Sequence, residues 1–174
     1  GLDGPEKTYP LVVMVCEECW LVQTKDFAQA DELFASDYAY FSSFSSSWLR
    51  HAEAYAERMS RHLGLGPASL VVEVASNDGY LLQHFQRLGV RSLGIEPTAS
   101  TATAAREKGI DTVEEFFGVT LARRLVQQGM RADLMAANNV LAHVPDINDF
   151  VSGFAMALKP EGLATFEFPH LLRL

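Results

Sequence analysis

The chain has 174 residues, 48% hydrophobic and 21% charged, with a formal charge of −8. That length holds one cored domain plus a small attachment, and the acidic balance, with no run of Lys and Arg, argues against a nucleic-acid backbone as the main partner. No apolar stretch nears the roughly 18 to 20 residues that cross a bilayer, and no basic-then-apolar leader opens the chain, so a soluble, cytoplasmic protein without a membrane partner is expected.

In chain order, the two cysteines come first, as Cys16-Glu-Glu-Cys19 between short apolar runs. This predicts two strands around a turn within residues 11–23. A single pair at this spacing is half a structural zinc site, a redox pair, or two unliganded thiols. Tetrahedral zinc needs four ligands, and neither His51 nor His62 is well placed to complete the set. Trp48, Ala52, Tyr55, Met59 and Leu63 then recur at helical spacing, with Ser46 or Ser47 as the cap and Gly64, Gly66 and Pro67 as the stop.

From Ala68 strands and helices alternate. Leu70–Val74 is an almost wholly apolar strand, as for one covered on both faces. A helix follows with Leu81, Leu82, Phe85 and Leu88 inward, then a strand at Ser92–Glu96, a helix at Thr98–Lys108 and a brief strand at Ile110–Val113. A helix near Leu121–Gln128, a strand at Asp133–Asn138 and a helix at Asn148–Leu158, with Phe150, Val151, Phe154 and Leu158 inward, come next. Lys159–Gly162 reads as a turn and Leu163–Phe168 as the fifth strand of this series. Such alternation implies right-handed β-α-β units and a doubly wound, mostly parallel sheet.

Sheets of this kind bind ligands beyond the carboxyl ends of their strands, at the switch point. Four sequence landmarks fall there. The turn Glu73-Val-Ala-Ser-Asn-Asp-Gly79 is built of small residues, so a ligand can approach Ala75, Ser76, Asn77 and Gly79 closely. Its acidic residue suits an amino-acid headgroup or a ribose better than phosphates, and it lacks the Gly-x-Gly-x-x-Gly of a dinucleotide site. Glu96 ends the second strand of the series, where a carboxylate accepts ribose hydroxyls or is simply solvated. Phe116 and Phe117 follow the third; either lies against an adenine or belongs to the core. Asn138 and Asn139 open the loop after the fourth, where buried amides need partners.

Val72-Glu-Val-Ala-Ser-Asn-Asp-Gly-Tyr-Leu-Leu82, Leu93-Gly-Ile-Glu-Pro97, Asn139-Val-Leu-Ala-His-Val-Pro-Asp-Ile-Asn-Asp-Phe150 and Glu167-Phe-Pro-His170 resemble the S-adenosylmethionine-dependent deoxysugar C-methyltransferases. The Cys16 pair and Asp37-Tyr-Ala-Tyr-Phe-Ser-Ser43 are similar to that family's N-terminal region. The resemblance implies a Rossmann-like class I methyltransferase core over residues 45–174, ending after its fifth strand. Residues 1–44 would be a remnant of a zinc-binding domain together with a sugar-site segment. It implies that Ala75–Gly79 line the methionine part of S-adenosylmethionine, Glu96 the ribose, Phe116 or Phe117 the adenine, and Asn138 and Asn139 the sulfonium region. Tyr38 and Tyr40 would face a nucleotide-linked keto-deoxysugar, and Cys16 and Cys19 would hold zinc.

The implied reaction removes a proton beside a ketone, and the enolate takes the methyl group; it needs a base and an oxyanion stabiliser. His170 is the first candidate, with Glu167 to orient it and His143 second; each has a structural alternative in its own loop or strand. A nicotinamide-dependent oxidoreductase would share Glu96, but Ala75 and Asp78 speak against it. A domain that binds S-adenosylmethionine without turnover is the alternative from another class.

Overall fold

The computed structural model describes residues 8–25, 27 and 40–169, in two compact units, Gly1–Leu33 and Phe34–Leu174. In the first, β1 (Val13–Val15) pairs antiparallel with β2 (Val22–Thr24). The cysteine turn closes on itself: Trp20 donates its N–H to Cys16 O (2.9 Å), and Cys16 donates to Leu21 O (3.0 Å).

The second unit begins with a 3-10 turn, Ser42–Phe44, and then α1 (Ser46–Leu63). Ser45 caps the helix, one residue before the expected serines, because its extended backbone lets Oγ accept the Trp48 N–H. Gly64 ends it at φ 61. There follow β3 (Leu70–Val74), α2 (Leu82–Arg87), β4 (Arg91–Ile95), α3 (Ala99–Glu107), β5 (Thr112–Val113), α4 (Val119–Gln127), β6 (Ala132–Asn138), α5 (Ile147–Ala157) and β7 (Leu158–Glu167). The last five strands make one sheet in the order β5-β4-β3-β6-β7, with every pairing parallel. This is the expected doubly wound α/β architecture, and β3 lies at the point where the winding reverses.

Both faces are covered. Val72, Val74, Ile95, Leu121, Leu125, Phe150 and Phe154 form one core, under α4 and α5. Ala52, Ala56, Met59, Leu81, Phe85, Leu134 and Ala136 form the other, under α1 and α2. β3 is buried along its whole length, so its sequence is apolar on both faces except for Glu73.

Three expectations are corrected. Leu88 is not inward but 46% exposed, because α2 is only six residues long and Leu88 is the residue that leaves it. Val151 is likewise 46% exposed; the buried stripe runs through Phe150, Phe154 and Ala157, one helical step away. Leu158 and Lys159–Gly162 belong to β7: register jumps from Ala132↔Leu158 to Leu134↔Leu163, so the extra residues form a bulge instead of a turn. Lys159 ties it to Asp133 of β6 at 2.7 Å. A Cβ on Gly162 would stand 2.7 Å from Ala132 O, which only glycine avoids. Among the described residues, no helix is long and apolar enough to cross a membrane.

His84 of α2 is buried, and neither ring nitrogen is hydrogen-bonded among the described residues. Burial and then Arg87 lower its pKa, against the pull of Glu53 and Glu57. The unfolded chain therefore takes up this proton first, and stability present above about pH 6.5 is lost as pH falls through the lowered folded value. His84→Leu is expected to melt a few degrees above the parent at pH 5.5 relative to the difference at pH 8, as followed by circular dichroism. An equal offset at both pH values would contradict this.

Candidate functional site at the carboxyl edge of the sheet

The edge is organised by the turn after β3. To leave the strand and enter α2 within a few residues, the chain adopts left-handed backbone at Ala75 (φ 58), Asn77 (φ 49) and Gly79 (φ 75). For the two residues with a Cβ this costs on the order of 1–3 kcal/mol each. Gly79 has no alternative: a Cβ there would overlap Ile110 Cδ1. The strained turn is held by Glu96, at the end of β4 and 5% exposed. Its Oε2 accepts the Asn77 N–H (2.9 Å), and its Oε1 accepts the Thr98 N–H (3.0 Å) and the Thr98 hydroxyl.

The side chains of the turn hold the segment before α1. Asn77 Oδ1 accepts the Ser42 N–H (2.8 Å), and Asn77 Nδ2 donates to Tyr40 O (3.0 Å). Asp78 Oδ1 accepts the Ser43 N–H (3.3 Å), while Lys108 donates to Asp78 Oδ2 (2.9 Å), Asp78 O (2.7 Å) and Ser43 Oγ (2.9 Å). Residues 40–44 are thereby strapped over the turn. Ser76 Oγ, by contrast, is buried without a partner among the described residues.

On the α1 side of the same edge lies a group of polar residues above an apolar core. Glu73 is fully buried, and neither carboxyl oxygen makes a hydrogen bond among the described residues. The Tyr80 hydroxyl beside it is engaged by Asn138 Nδ2 at 3.0 Å. Burial holds the Glu73 carboxyl well above the usual carboxylate range, with the Glu96 and Asp78 charges adding and the Tyr80 hydroxyl opposing. Burial and the Glu73 charge push the Tyr80 phenol up in turn. Asn138 sits opposite Glu167 in the β6–β7 ladder. Glu167 Oε2 meets His51 Nε2 of α1 at 2.8 Å, and Trp48 stacks on the imidazole with centroids 5.0 Å apart. Further along α1, Tyr55 bonds Thr165 at 2.5 Å.

The remaining candidates are spread. Asn139 is exposed at φ 55, its N–H donated to Glu167 O (2.6 Å). Phe116 is 53% exposed, whereas Phe117 lies edge-on to Phe150 and Phe154 in the core. His143 is exposed in a 3-10 turn after β6. Tyr40 is 60% exposed on the strap. Tyr38 and His170 lie outside the described residues. In the separate hairpin unit, the Cys19 and Glu18 backbone N–H groups and then the Cys19 thiol lower the Cys16 pKa, favouring a thiolate. No group of three or more metal-ligating side chains occurs among the described residues.

Glu73, Tyr80 and His51 are not among the sequence-derived candidates. A lone carboxylate in an otherwise apolar strand is a usable signal for Glu73. His51 carries none, since its partner is 116 residues away.

Residues 72–164 match a methyltransferase domain family, and residues 1–34 match a putative zinc binding domain. The C-methyltransferase NovU of Streptomyces niveus is 32% identical over 171 residues, covering 98% of this chain and 40% of that protein. Streptomyces venezuelae DesVI superposes with a TM-score of 0.56 at 18% identity, covering 71% of this chain and 53% of that one. The glycopeptide N-methyltransferase MtfA complexed with S-adenosyl-L-methionine does so with a TM-score of 0.51 at 16% identity, covering 66% and 53%. At these identities the two structures share the fold, a class I methyltransferase sheet. The chain spans less than half the length of the curated relatives it matches.

A carboxyl whose folded pKa is raised withholds stability above its unfolded value, because only the unfolded chain ionises freely there. A tenfold difference in proton affinity between the folded and unfolded chain corresponds to about 1.4 kcal/mol. Glu73→Gln is therefore expected to raise the melting temperature by several degrees at pH 7.5, with the gain vanishing near pH 4.5. A gain independent of pH, measured by calorimetry, would contradict a Glu73 carboxyl raised by burial.

Proposed function

Because the chain belongs to the methyltransferase domain family, we propose that it binds S-adenosylmethionine at the carboxyl ends of β3, β4 and β6 and methylates a carbon beside a ketone on a nucleotide-linked deoxysugar. The observation that carries this reading is the left-handed Ala75–Gly79 turn held by the buried Glu96 carboxylate. Unsatisfied polar atoms at Glu73 and Ser76 line the same edge, which is what a polar ligand would be expected to complete. The carboxylates of Asp78 and Glu96 favour a cationic headgroup over a phosphate. When bound, S-adenosylmethionine supplies an electrophilic methyl group on a positively charged sulfur, which leaves as a neutral thioether.

The chain's own residues divide the remaining work. Ala75, Ser76, Asn77 and Gly79 bring backbone close to the methionine part. Glu96 keeps acceptor capacity for ribose hydroxyls, since each carboxylate oxygen takes more than one donor. Phe116, exposed, is the ring available to an adenine, while Phe117 is committed to the core. Asn138 and Asn139 border the transfer region, and Tyr38 and Tyr40 the sugar. His170, Glu167 and His143 are the candidates for proton transfer that leaves an enolate on the sugar carbon. Cys16 and Cys19 would give two thiolates to a structural zinc. Carbon as the acceptor draws support from the name of the Streptomyces niveus relative; the sugar rests on the resemblance of residues 139–150 and 167–170.

Calorimetric titration is expected to show binding of S-adenosylmethionine and none of NADH. Glu96→Ala should weaken it about tenfold or more, the loss of one or two charge-assisted hydrogen bonds at about 1.5–3 kcal/mol each. Binding of NADH alone would sink the methyltransferase reading in favour of an oxidoreductase. Undiminished binding by a folded Glu96→Ala variant would remove Glu96 from the site.

A further inference from the structure

Residues 40–44 lie on the turn after β3 with little apolar burial to keep them there. Ser42 alone of the five is buried; Tyr40 is 60% and Phe44 85% exposed. Phe41 meets Phe44 within the strap itself, at 5.6 Å between centroids. The contacts that hold the strap down are polar. Ser42 donates its N–H to Asn77 Oδ1, and Asn77 Nδ2 donates to Tyr40 O. Ser43 donates its N–H to Asp78 Oδ1 and accepts from Lys108 at its hydroxyl. Lys108 reaches Ser43 Oγ (2.9 Å), Asp78 O (2.7 Å) and Asp78 Oδ2 (2.9 Å), which uses all three donors of an ammonium group. One side chain thus touches the strap, the backbone of the turn and the carboxylate between them.

The corner that carries Lys108 is itself seated on the turn. α3 ends at Glu107, and the chain reverses at Gly109 with φ 80. Gln86 donates to Gly109 O at 2.7 Å, and Ile110 Cδ1 occupies the space where a Cβ on Gly79 would stand. The Asp78 side chain is 4% exposed and that of Lys108 34%. A carboxylate so nearly dry is costly without its cation. With the ammonium removed, Asp78 turns toward water or takes up a proton, and its hold on Ser43 weakens. We infer that Lys108 is a positioning residue of the cofactor site: it locks the strap to the Ala75–Gly79 turn, so that S-adenosylmethionine bound at the turn and the closed strap stabilise each other. A ligand that prefers the turn in its fixed form must, by linkage, also fix the strap.

The inference rests on S-adenosylmethionine binding at this turn, and its test separates the two. Amide hydrogen exchange at residues 42 and 43, whose N–H groups the turn accepts, is followed by NMR with and without S-adenosylhomocysteine. Calorimetry gives the affinity of the same ligand, and both are measured in the wild type, Lys108→Met and Ser43→Ala. In the wild type the ligand is expected to slow exchange at both amides about fivefold or more, and Lys108→Met to lose that slowing and bind about fivefold more weakly. Ser43→Ala removes a single contact of Lys108, leaves the pair with Asp78 intact, and should fall between them. Exchange at Val71 and Val72 of the buried β3 reports the fold as a whole and is expected to stay unchanged. Wild-type slowing and affinity in both variants overturns the inference and leaves the cofactor reading standing, as does a wild type that binds without slowing. A variant loss matched at Val71 and Val72 also overturns it, since the contact would then serve stability alone. If Lys108→Met does not fold, Ser43→Ala decides between these outcomes. A wild type that binds no S-adenosylhomocysteine overturns both readings.

Discussion

The hydrogen bond from the Asn77 N–H to Glu96 Oε2, 2.9 Å long, is the contact on which the ligand edge depends. A parallel sheet brings the ends of β3 and β4 side by side, and the chain must turn sharply there to reach α2. The turn uses left-handed backbone at two residues that have a Cβ, a conformation that persists only when its surroundings over-determine it. Glu96 does this from the neighbouring strand, collecting donors from Asn77 and Thr98. Once Asn77 is fixed, its amide side chain is aimed at Tyr40 O and Ser42 N–H, and the strap before α1 is fixed with it. One carboxylate thus determines the shape of the turn and, through it, what lies above.

The same edge gathers three carboxyl groups where water is scarce. Glu73, Asp78 and Glu96 are all buried. Lys108 answers Asp78, and backbone and side-chain donors answer Glu96, but Glu73 has no cation among the described residues, and burial holds its carboxyl well above the usual carboxylate range. The cost of keeping a carboxyl in that position is borne by two well-packed cores on either side of the sheet. A polar, partly cationic ligand would find donors, acceptors and favourable charge already arranged, with little reorganisation left to do.

Much of this is legible in the sequence because it is local. The apolar run Leu70–Val74 reports burial on both faces, and the small residues after it report a tight turn. Glu96 at a strand end reports the edge itself. Periodicity overreaches where an element is shorter than its pattern, as at Leu88 beyond the end of α2, or where a neighbour one step around the helix takes the buried position, as at Phe150 beside Val151. The β7 bulge reads as a turn because Lys-Pro-Glu-Gly carries turn chemistry whether or not the strand continues through it. Contacts made across the fold leave no local trace: His51 and Glu167 become partners only because α1 runs along β7. Phe116 and Phe117 cannot be told apart until α5 places two rings against one of them.

The central claim, that the ligand site is the carboxyl edge around β3, β4 and β6, is tested most directly by mapping backbone amide shifts as S-adenosylhomocysteine is titrated into the isotopically labelled protein. The account predicts shifts at Ala75, Ser76, Asn77, Gly79, Glu96, Asn138 and Asn139. The groove at the opposite end of the strands, lined by Leu70, Gln86, Val90, Arg91 and Asp111, should stay unshifted. Shifts confined to that groove, with the Ala75–Gly79 turn unchanged, would contradict it.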